Sequence, residues 1–343
     1  MKRAEIGRLS ARARLFLLIL PPLTALAALC VGRIPLAPVE VLRSIAAHLG
    51  AGYELNANTE QVLWSMRFPR ILLALLTGAG LAVSGCAFQS LFSNPLATPE
   101  TLGVASGSSF GAALAILIGW GILGVQALAL IFGVVALGLS YLAGRGRGRG
   151  MNTIILAGIM IGSLFTALVS LVKFVADTES QLPAITYWLM GSLNSASYTT
   201  LAMGAPLIVV GLVVVYLLRW RLNILPLPED EARASGVSLR GLRIVTILCA
   251  TAMTAACVSM CGQVGWVGLL VPHICRMRFG SNHLSLVPAS VSLGAAFMVV
   301  VDTLARTLTA ASIPISVLTA IIGAPFFILL LRRSGGWELG CFP

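Results

Sequence analysis

Long apolar runs separated by short polar segments make up most of this chain. A helix needs about 20 residues to cross about 30 Å of hydrocarbon, and most of the runs approach or exceed that length. The pattern predicts ten transmembrane helices, at 15–31, 67–92, 102–120, 122–142, 153–174, 201–218, 244–260, 264–274, 286–308 and 317–331. Nine is the alternative count, because 101–143 and 264–280 divide ambiguously.

Composition supports the same fold class. The hydrophobic fraction is 58%, charged residues make up 10%, and the mean hydropathy is +0.95. These values lie outside the range of soluble globular domains. We therefore predict an all-α, polytopic integral membrane protein that forms a single transmembrane domain over residues 1–343.

One polar segment, Leu225–Ser238, stands between two long apolar runs. Pro228 suits the first turn of a helix, three acidic residues follow at 229–231, and Gly236 can end the helix. The segment predicts a capped helix of about two turns between two membrane spans. It is either a solvated connector or a helix offered to a soluble partner.

The basic residues are distributed unequally between the two sides of the membrane. With the N-terminus inside as an uncleaved first helix, seventeen of the 23 Lys and Arg residues lie on the inner side. The six on the outer side or at outer helix ends are Arg33, Arg43, Arg67, Arg70, Lys173 and Arg306. This bias predicts cytoplasmic N- and C-termini and a cytoplasmic 225–238 segment, and it explains the net charge of +11 without nucleic acid.

Several site types are absent or weakly supported. The basic stretch Arg145–Gly150 lacks the P-loop pattern, so it predicts no ATP site. Cys257 and Cys261 lie one turn apart without His or carboxylate company, which argues against a metal site. Ser106 and His273 could form an intramembrane hydrolase pair, but serine is common in Gly-rich packing helices. We expect no enzyme activity, no metal site and no cofactor in this chain.

Two charged residues within the predicted span 286–308 bear on the energy source for transport. Asp302 is the acidic residue well inside a predicted span, and Arg306 follows one turn later, able to neutralise it. This is weak support for the alternative of an ion-coupled secondary transporter. A transporter with neither an ion relay nor an ATP site would take its energy from a partner protein. That partner would need a cytoplasmic docking surface, and the candidate is the segment 225–238.

Motifs spread along the chain point to one family. They are Arg67-Phe-Pro-Arg70, Gln89, Asn94-Pro-Leu-Ala97-x-Pro99, Leu102-Gly103, Glu229-Asp-Glu-Ala-Arg-x-x-Gly236, Gly262-x-x-Gly265-x-Val267-Gly-Leu269-x-x-Pro272-His273-x-x-Arg276 and Gly323-Ala-Pro325-Phe. In this order, from about residue 60 to 333, they resemble the membrane permeases of ATP-binding-cassette (ABC) importers for iron–siderophores, haem and cobalamin.

The resemblance implies a type II ABC importer permease fold in the bacterial cytoplasmic (inner) membrane. It implies a permease dimer, two cytoplasmic ATPase subunits that bind ATP and Mg²⁺, and an outer substrate-binding protein. The residues it assigns to ATPase coupling are Glu229, Asp230, Glu231, Ala232, Arg233 and Gly236. It assigns Arg67, Arg70 and Arg306 to docking of the binding protein. It places Asn94, Pro95 and Leu96 at the inner gate.

Two segments depart from the family pattern. Ser312–Ser316 replaces an acidic residue followed by Pro-Val-Gly or Pro-Ile-Gly, and Asn282-His283-Leu284 replaces Asp-His-Arg. The first bears on outer docking and the second on coupling. The family implies transport of an iron–siderophore, haem or cobalamin, and the sequence does not choose among them.

Overall fold

The computed structural model describes residues 9–32, 34–50, 53, 56–144, 151–309 and 311–333. The basic loop 145–149 lies outside this part of the chain, as do the side chains of Glu229 and Arg233. Within it the regular structure is helical, which confirms the predicted all-α class. The helices are α1 (Ala11–Cys30), α2 (Pro38–His48), α3 (Ala57–Leu91), α4 (Val104–Leu117), α5 (Ile122–Gly144), α6 (Met151–Val175), α7 (Gln181–Leu189), α8 (Tyr198–Leu218), α9 (Glu229–Ala234), α10 (Leu239–Cys261), α11 (Val267–Phe279), α12 (His283–Thr307) and α13 (Ile315–Arg333).

Each of the ten predicted spans corresponds to one of these helices. Seven of the described helices are long and apolar enough to cross a membrane: α1, α3, α5, α6, α8, α10 and α12. The shorter α4, α11 and α13 correspond to the other three predicted spans. Helices α2, α7 and α9 connect the spans.

Helix α3 is longer than the apolar pattern indicated. Its 35 residues extend about 52 Å at 1.5 Å per residue, beyond the hydrocarbon thickness of about 30 Å. A π-helical segment, Gln61–Arg67, lies immediately before Phe68-Pro69, and the Phe68 N–H bonds to the Leu63 carbonyl five residues back. Because Pro69 has no N–H and crowds the preceding turn, the wider π turn lets the helix continue through it.

Three helices form the centre of the bundle. The hydrophobic windows of α3, α10 and α12 are 83%, 72% and 67% buried, against 17% for α1 and 22% for α6. Helices α3 and α12 approach so closely that a Cβ added at Gly78 would lie 2.2 Å from the Gly294 carbonyl oxygen. Helices α4 and α5 also approach closely, since a Cβ added at Gly107 or Gly111 would lie 2.5 Å or 2.2 Å from α5 carbonyl oxygens.

The polar segment 225–238 contains a helix of about the predicted two turns, at 3.6 residues per turn. Helix α9 has six residues, and the Ala232 N–H bonds to the Pro228 carbonyl at 2.9 Å, so Pro228 precedes the helix. Gly236 has φ +73°, which confirms the predicted glycine stop. The segment therefore leaves the membrane through a 3₁₀ turn at Arg221–Ile224 and one short helix.

Candidate functional site

Four charged residues, Arg67, Arg70, Asp302 and Arg306, meet at one end of the bundle and are called the outer charged cluster. Charge placement predicts that this end faces outward. Arg70 Nε donates to both carboxylate oxygens of Asp302, at 2.9 and 3.1 Å, and its Nη2 lies 2.8 Å from Oδ1. Asp302 is 1% exposed, so this fork of donors is what satisfies a buried charge.

Arg306 has a weaker relation to Asp302 than the sequence indicated. The expected pair exists, but Arg306 Nε lies 3.8 Å from Asp302 Oδ2, and this nitrogen has no hydrogen-bond partner. Its Nη2 donates instead to the carbonyl of Ala28, at the end of α1. The closer partner of Asp302 is Arg70, which the contact between α3 and α12 brings within reach.

Arg67 is turned into the protein. It is 6% exposed, and its two terminal nitrogens donate to the carbonyl groups of Leu29 and Ile34. These groups lie in the last turn of α1 and in the segment after it. Arg67 therefore holds the end of α1, whereas Arg70 and Arg306 keep part of their side-chain surface exposed, 17% and 11%.

A cavity of about 830 Å³ opens beside the cluster and is lined by all three arginines. Asn194 accepts from Arg70 Nη1 at 2.7 Å and donates to the Tyr187 hydroxyl at 2.7 Å. Three guanidinium groups against one carboxylate give this cavity a net positive charge, which suits acidic groups on a partner. Asn194 and Arg70 are 124 positions apart, so the sequence pattern did not indicate their contact.

At the opposite end, two motif residues that are 187 positions apart come together. Arg276 Nη2 donates to Gln89 Oε1 at 2.9 Å, joining α11 to the last turns of α3. His273 lies beside this contact on α11, with its ring centroid 5.8 Å from that of Phe327 in α13. His273 therefore packs against α13 at the end of the bundle opposite the outer charged cluster.

A second polar contact ties the 3₁₀ turn before α9 to α12. Asn223, in the 3₁₀ turn before α9, accepts from the backbone N–H of His283 at 2.9 Å and donates to Asn282 Oδ1 at 3.2 Å. Asn282 also caps α12 by accepting from the Leu284 N–H at 3.0 Å. The departure from the family pattern at 282–284 thus forms a capped and cross-linked helix start.

Helix α9 presents a mixed surface. Ala232 is 2% exposed and packs with Ile224 and Leu239, which anchors α9 to the membrane domain. Asp230 and Glu231 are exposed. The helix is therefore attached by one apolar contact and offers carboxylates to its surroundings.

The predicted inner-gate residues form a tight turn after α3. Asn94 Oδ1 accepts from the Leu96 N–H at 2.9 Å, and the Asn94 carbonyl accepts from the Ala97 N–H at 3.1 Å. Asn94 and Leu96 are exposed and Pro95 is partly buried. The side chain of Asn94 thus fixes the turn that Pro95 requires.

Glu100 is a candidate site residue that the sequence did not single out. It lies in a 3₁₀ turn, Pro99–Leu102, and lines a cavity of about 400 Å³ with Ser106, Ser163 and Thr166. No described residue forms an ion pair or side-chain hydrogen bond with its carboxylate. Sequence reasoning placed it in a loop, because the Asn-Pro break precedes it.

The depth of Glu100 in the bundle follows from its neighbours on α6. The next residues after Glu100, Thr101 and Leu102, pack against Gly158 of α6, seven residues after Met151 and so about 10 Å along the helix at 1.5 Å per residue. A carboxylate at that depth belongs in a water-filled or protein-lined space rather than against lipid. Glu100 therefore marks a surface of α4 and α6 that is not lipid-facing.

A metal site and a Ser106–His273 hydrolase pair were the other sites with weak support from the sequence. The described residues contain no group of three or more His, Cys, Asp or Glu side chains that could hold a metal ion. Ser106 lines the Glu100 cavity, while His273 packs against Phe327. The residues that line the cavity of Ser106 include no histidine, so the structure does not bring Ser106 and His273 together there.

The sequence and the fold of this chain are similar to those of known transport proteins. The chain matches the model of the FecCD transport family over residues 17–333. It is 41% identical to the molybdate import system permease protein of Haemophilus influenzae, over 91% of this chain and 94% of that one. It is 35% identical to the hemin transport system permease protein of Yersinia pestis, over 81% and 86%. A solved inward-facing, metal-chelate type ABC transporter chain superposes with a TM-score of 0.85 and 38% identity, covering 94% of this chain and all of that chain.

Proposed function

The chain belongs to the FecCD transport family, and we propose that it is the membrane-spanning permease subunit of an ATP-driven importer. The observation that carries this is the family match over 17–333, together with permease relatives that cover most of the chain. The fold is that of a type II ABC importer permease, and the protein is a multi-pass membrane protein. Its role is transport rather than catalysis.

The proposed substrate is a metal chelate, an iron–siderophore first, with haem and cobalamin as related candidates. The structural neighbour described as a metal-chelate type transporter supports this class. A second candidate is molybdate, because the molybdate permease has the higher identity, 41% against 35% for the hemin permease.

The proposed assembly contains a second permease subunit, two cytoplasmic ATPase subunits and an outer substrate-binding protein. ATP and Mg²⁺ bind the ATPase subunits, so this chain needs no cofactor of its own. The proposed location is the bacterial inner membrane with both termini in the cytoplasm, and the predicted bias of basic residues supports that orientation.

Helix α9 is the proposed contact with the ATPase. The coupling residues are the six of the motif: Glu229, Asp230, Glu231, Ala232, Arg233 and Gly236. Buried Ala232 and the cross-link from Asn223 to α12 support this role, because both tie the segment to spanning helices. A displacement of α9 by the ATPase would then be passed to α12 and α10.

The proposed docking site for the binding protein is the outer cavity with Arg70 and Arg306 at its edge. Arg67 contributes by holding the end of α1, from which Arg306 also takes a carbonyl partner. The Asn94–Leu96 turn is the proposed inner gate, and Glu100 follows it on the same connection.

The alternative of an ion-coupled secondary transporter depended on Asp302 as the residue that binds the coupling ion, and the contacts of Asp302 argue against that role. Asp302 is already bonded at short distance to Arg70, which leaves it poorly suited to take up and release a proton or sodium ion. Family membership supports ATP as the energy source.

The experiment is uptake by proteoliposomes that hold the permease with the ATPase and binding protein encoded beside it. Ferric siderophore, haem, cobalamin and molybdate are offered in turn, with ATP inside and with a protonophore added. We expect uptake of one substrate that requires ATP and persists without a proton gradient. Uptake that needs the gradient and ignores ATP would refute the proposed function.

A further inference from the structure

We propose that the cleft between the start of α1 and the α11–α12 turn binds an anionic phospholipid, with its phosphate at Arg12 and Arg278. The cleft has a volume of about 740 Å³ and is lined by residues of α1, α11 and α12. The start of α1, the end of α11 and the start of α12 lie at one end of the bundle. By the predicted orientation this is the inner leaflet.

Two unpaired cations face this cleft. Neither Arg12 nor Arg278 forms an ion pair or hydrogen bond with another described residue, and Arg278 has only the ring of Phe279, 5.8 Å from its Cζ. Both are exposed, so each guanidinium keeps its donors for a ligand. Two such groups around one concave space suit a phosphate, which guanidinium binds through paired N–H donors.

Polar and apolar walls divide the cleft in the way that a lipid headgroup requires. Ser10 and Ser285 lie on the polar side with the arginines, while Phe16, Ile274 and Leu293 form apolar walls. A basic pocket between transmembrane helices on the cytoplasmic side is a general form of recognition for anionic lipid headgroups. A small free anion would make no favourable contact with the apolar walls, whereas the acyl chains of a lipid would.

An apolar groove continues from the cleft along α1. It has a volume of about 280 Å³, shares Arg12 and Phe16 with the cleft, and is otherwise lined by Leu15, Ile19, Leu20 and Leu23. From Arg12 to Leu23 is eleven residues, or about 16 Å. That is close to the depth of one leaflet, half of the hydrocarbon core of about 30 Å. An acyl chain in this groove would place its own phosphate at Arg12.

The position of α1 gives the lipid a structural consequence. Only 17% of its hydrophobic window is buried, and Ser292 of α12 donates to the Leu17 carbonyl at 2.6 Å. At its other end α1 supplies the Ala28 and Leu29 carbonyl groups to Arg306 and Arg67. A lipid that fills the cleft would fix the loosely packed helix that holds these arginines.

The test measures binding of defined lipids to the purified full-length chain by native mass spectrometry. The probes are phosphatidylglycerol, zwitterionic phosphatidylcholine, and glycerol phosphate as a headgroup without acyl chains. We expect phosphatidylglycerol to bind most tightly. Arg12→Gln and Arg278→Gln should each weaken it about fivefold, and the double variant by about 25-fold, at the usual contribution of a basic residue near anionic lipid.

Arg14→Gln is the matched control, because Arg14 is exposed on the same first turns of α1 but does not line the cleft. It should bind phosphatidylglycerol like the unmodified chain. Thermal unfolding without added lipid identifies any variant that has lost its fold, and the single variants then carry the test. Equal affinity for phosphatidylglycerol and phosphatidylcholine would overturn the proposal. Glycerol phosphate binding as tightly as the lipid would also overturn it, in favour of a free-anion site.

Discussion

Arg70 and Asp302, 232 positions apart in the chain, form a bidentate ion pair between α3 and α12, with Nη2 2.8 Å from Oδ1 and Nε 3.1 Å from Oδ2. Asp302 is almost fully buried, and the guanidinium of Arg306 on its own helix approaches only to 3.8 Å. The pair joins the two central helices at the outer end, next to the cavity that we propose for docking.

The first prediction concerns this pair. Asp302→Asn should lower the free energy of unfolding by about 3 kcal/mol, because it leaves the Arg70 charge without its partner. Adding Arg70→Gln should restore much of the folded protein, whereas adding Arg306→Gln should restore less. Membrane abundance and thermal unfolding of the three variants decide between them. Equal rescue by both second substitutions would show that Arg306 is as important a partner as Arg70.

The second prediction separates the roles of the arginines. Arg306→Gln should weaken the affinity for the binding protein several-fold and flatten its dependence on salt, because it removes one of the positive charges that line the outer cavity, and salt screens their attraction for acidic groups over about 8 Å at physiological ionic strength. Arg67→Gln should instead reduce the amount of folded protein, because Arg67 is buried and bonded to carbonyl groups.

The control for docking is Arg43→Gln. Arg43 is exposed on α2 and does not line the outer cavity. If Arg43→Gln and Arg306→Gln change the affinity and the salt dependence equally, a general surface charge rather than a local docking site is responsible.

The third prediction concerns the end of the coupling helix. Gly236 has φ +73°, and a Cβ at this position would meet nothing within 4 Å. Gly236→Val should therefore act through backbone strain alone, on the order of 1–2 kcal/mol. We expect the variant to reach the membrane but to lose ATPase association and uptake.

Two further variants test the cause. Gly236→Asn should retain most uptake, because asparagine tolerates the left-handed conformation. Gly265→Val is the matched control, since a Cβ there also meets nothing within 4 Å and its φ is not positive. Full transport by Gly236→Val would contradict the proposed coupling role.

The fourth prediction concerns Glu100. If its cavity is water-filled, a cysteine at 100 in a background without other reactive thiols should react with a charged methanethiosulfonate reagent. Val134→Cys should not, because Val134 is 51% exposed on the surface of α5, where we expect lipid. Glu100→Gln should change the import rate while abundance stays the same, since the carboxylate has no described partner to lose. Reaction at 134 but not at 100 would place Glu100 away from the pathway.

Much of this protein could be predicted from its sequence because membrane helices are specified locally. Each span is a largely apolar run, and breaks such as those at Pro95 and Gly236 contain a residue that disfavours a continued helix. The ten main helices and the glycine stop after α9 were predicted for this reason. The motifs likewise indicated the family, because they are read directly from the order of residues.

Local sequence patterns did not predict the residues at which α3 and α9 begin. The apolar pattern began α3 at Arg67, whereas the helix begins at Ala57, because the polar first turns project beyond the hydrocarbon and a π segment carries the helix through Pro69. At 225–238 the length of about two turns was predicted correctly, but Pro228 lies just before the helix rather than in its first turn. Apolar runs report what is buried in lipid and not where the hydrogen-bonded helix begins.

Only the tertiary structure decided which charges meet and which face the interior. The sequence assigned Asp302 to Arg306 by helical spacing, but the close packing of α3 and α12 brings Arg70 to Asp302 at a shorter distance. It left Glu100 between two predicted spans, whereas the turn that holds Glu100 packs against Gly158 of α6. The physical reason is that hydrophobic periodicity shows that a helix has a buried face, while the identity of the helix packed against that face depends on contacts between distant parts of the chain.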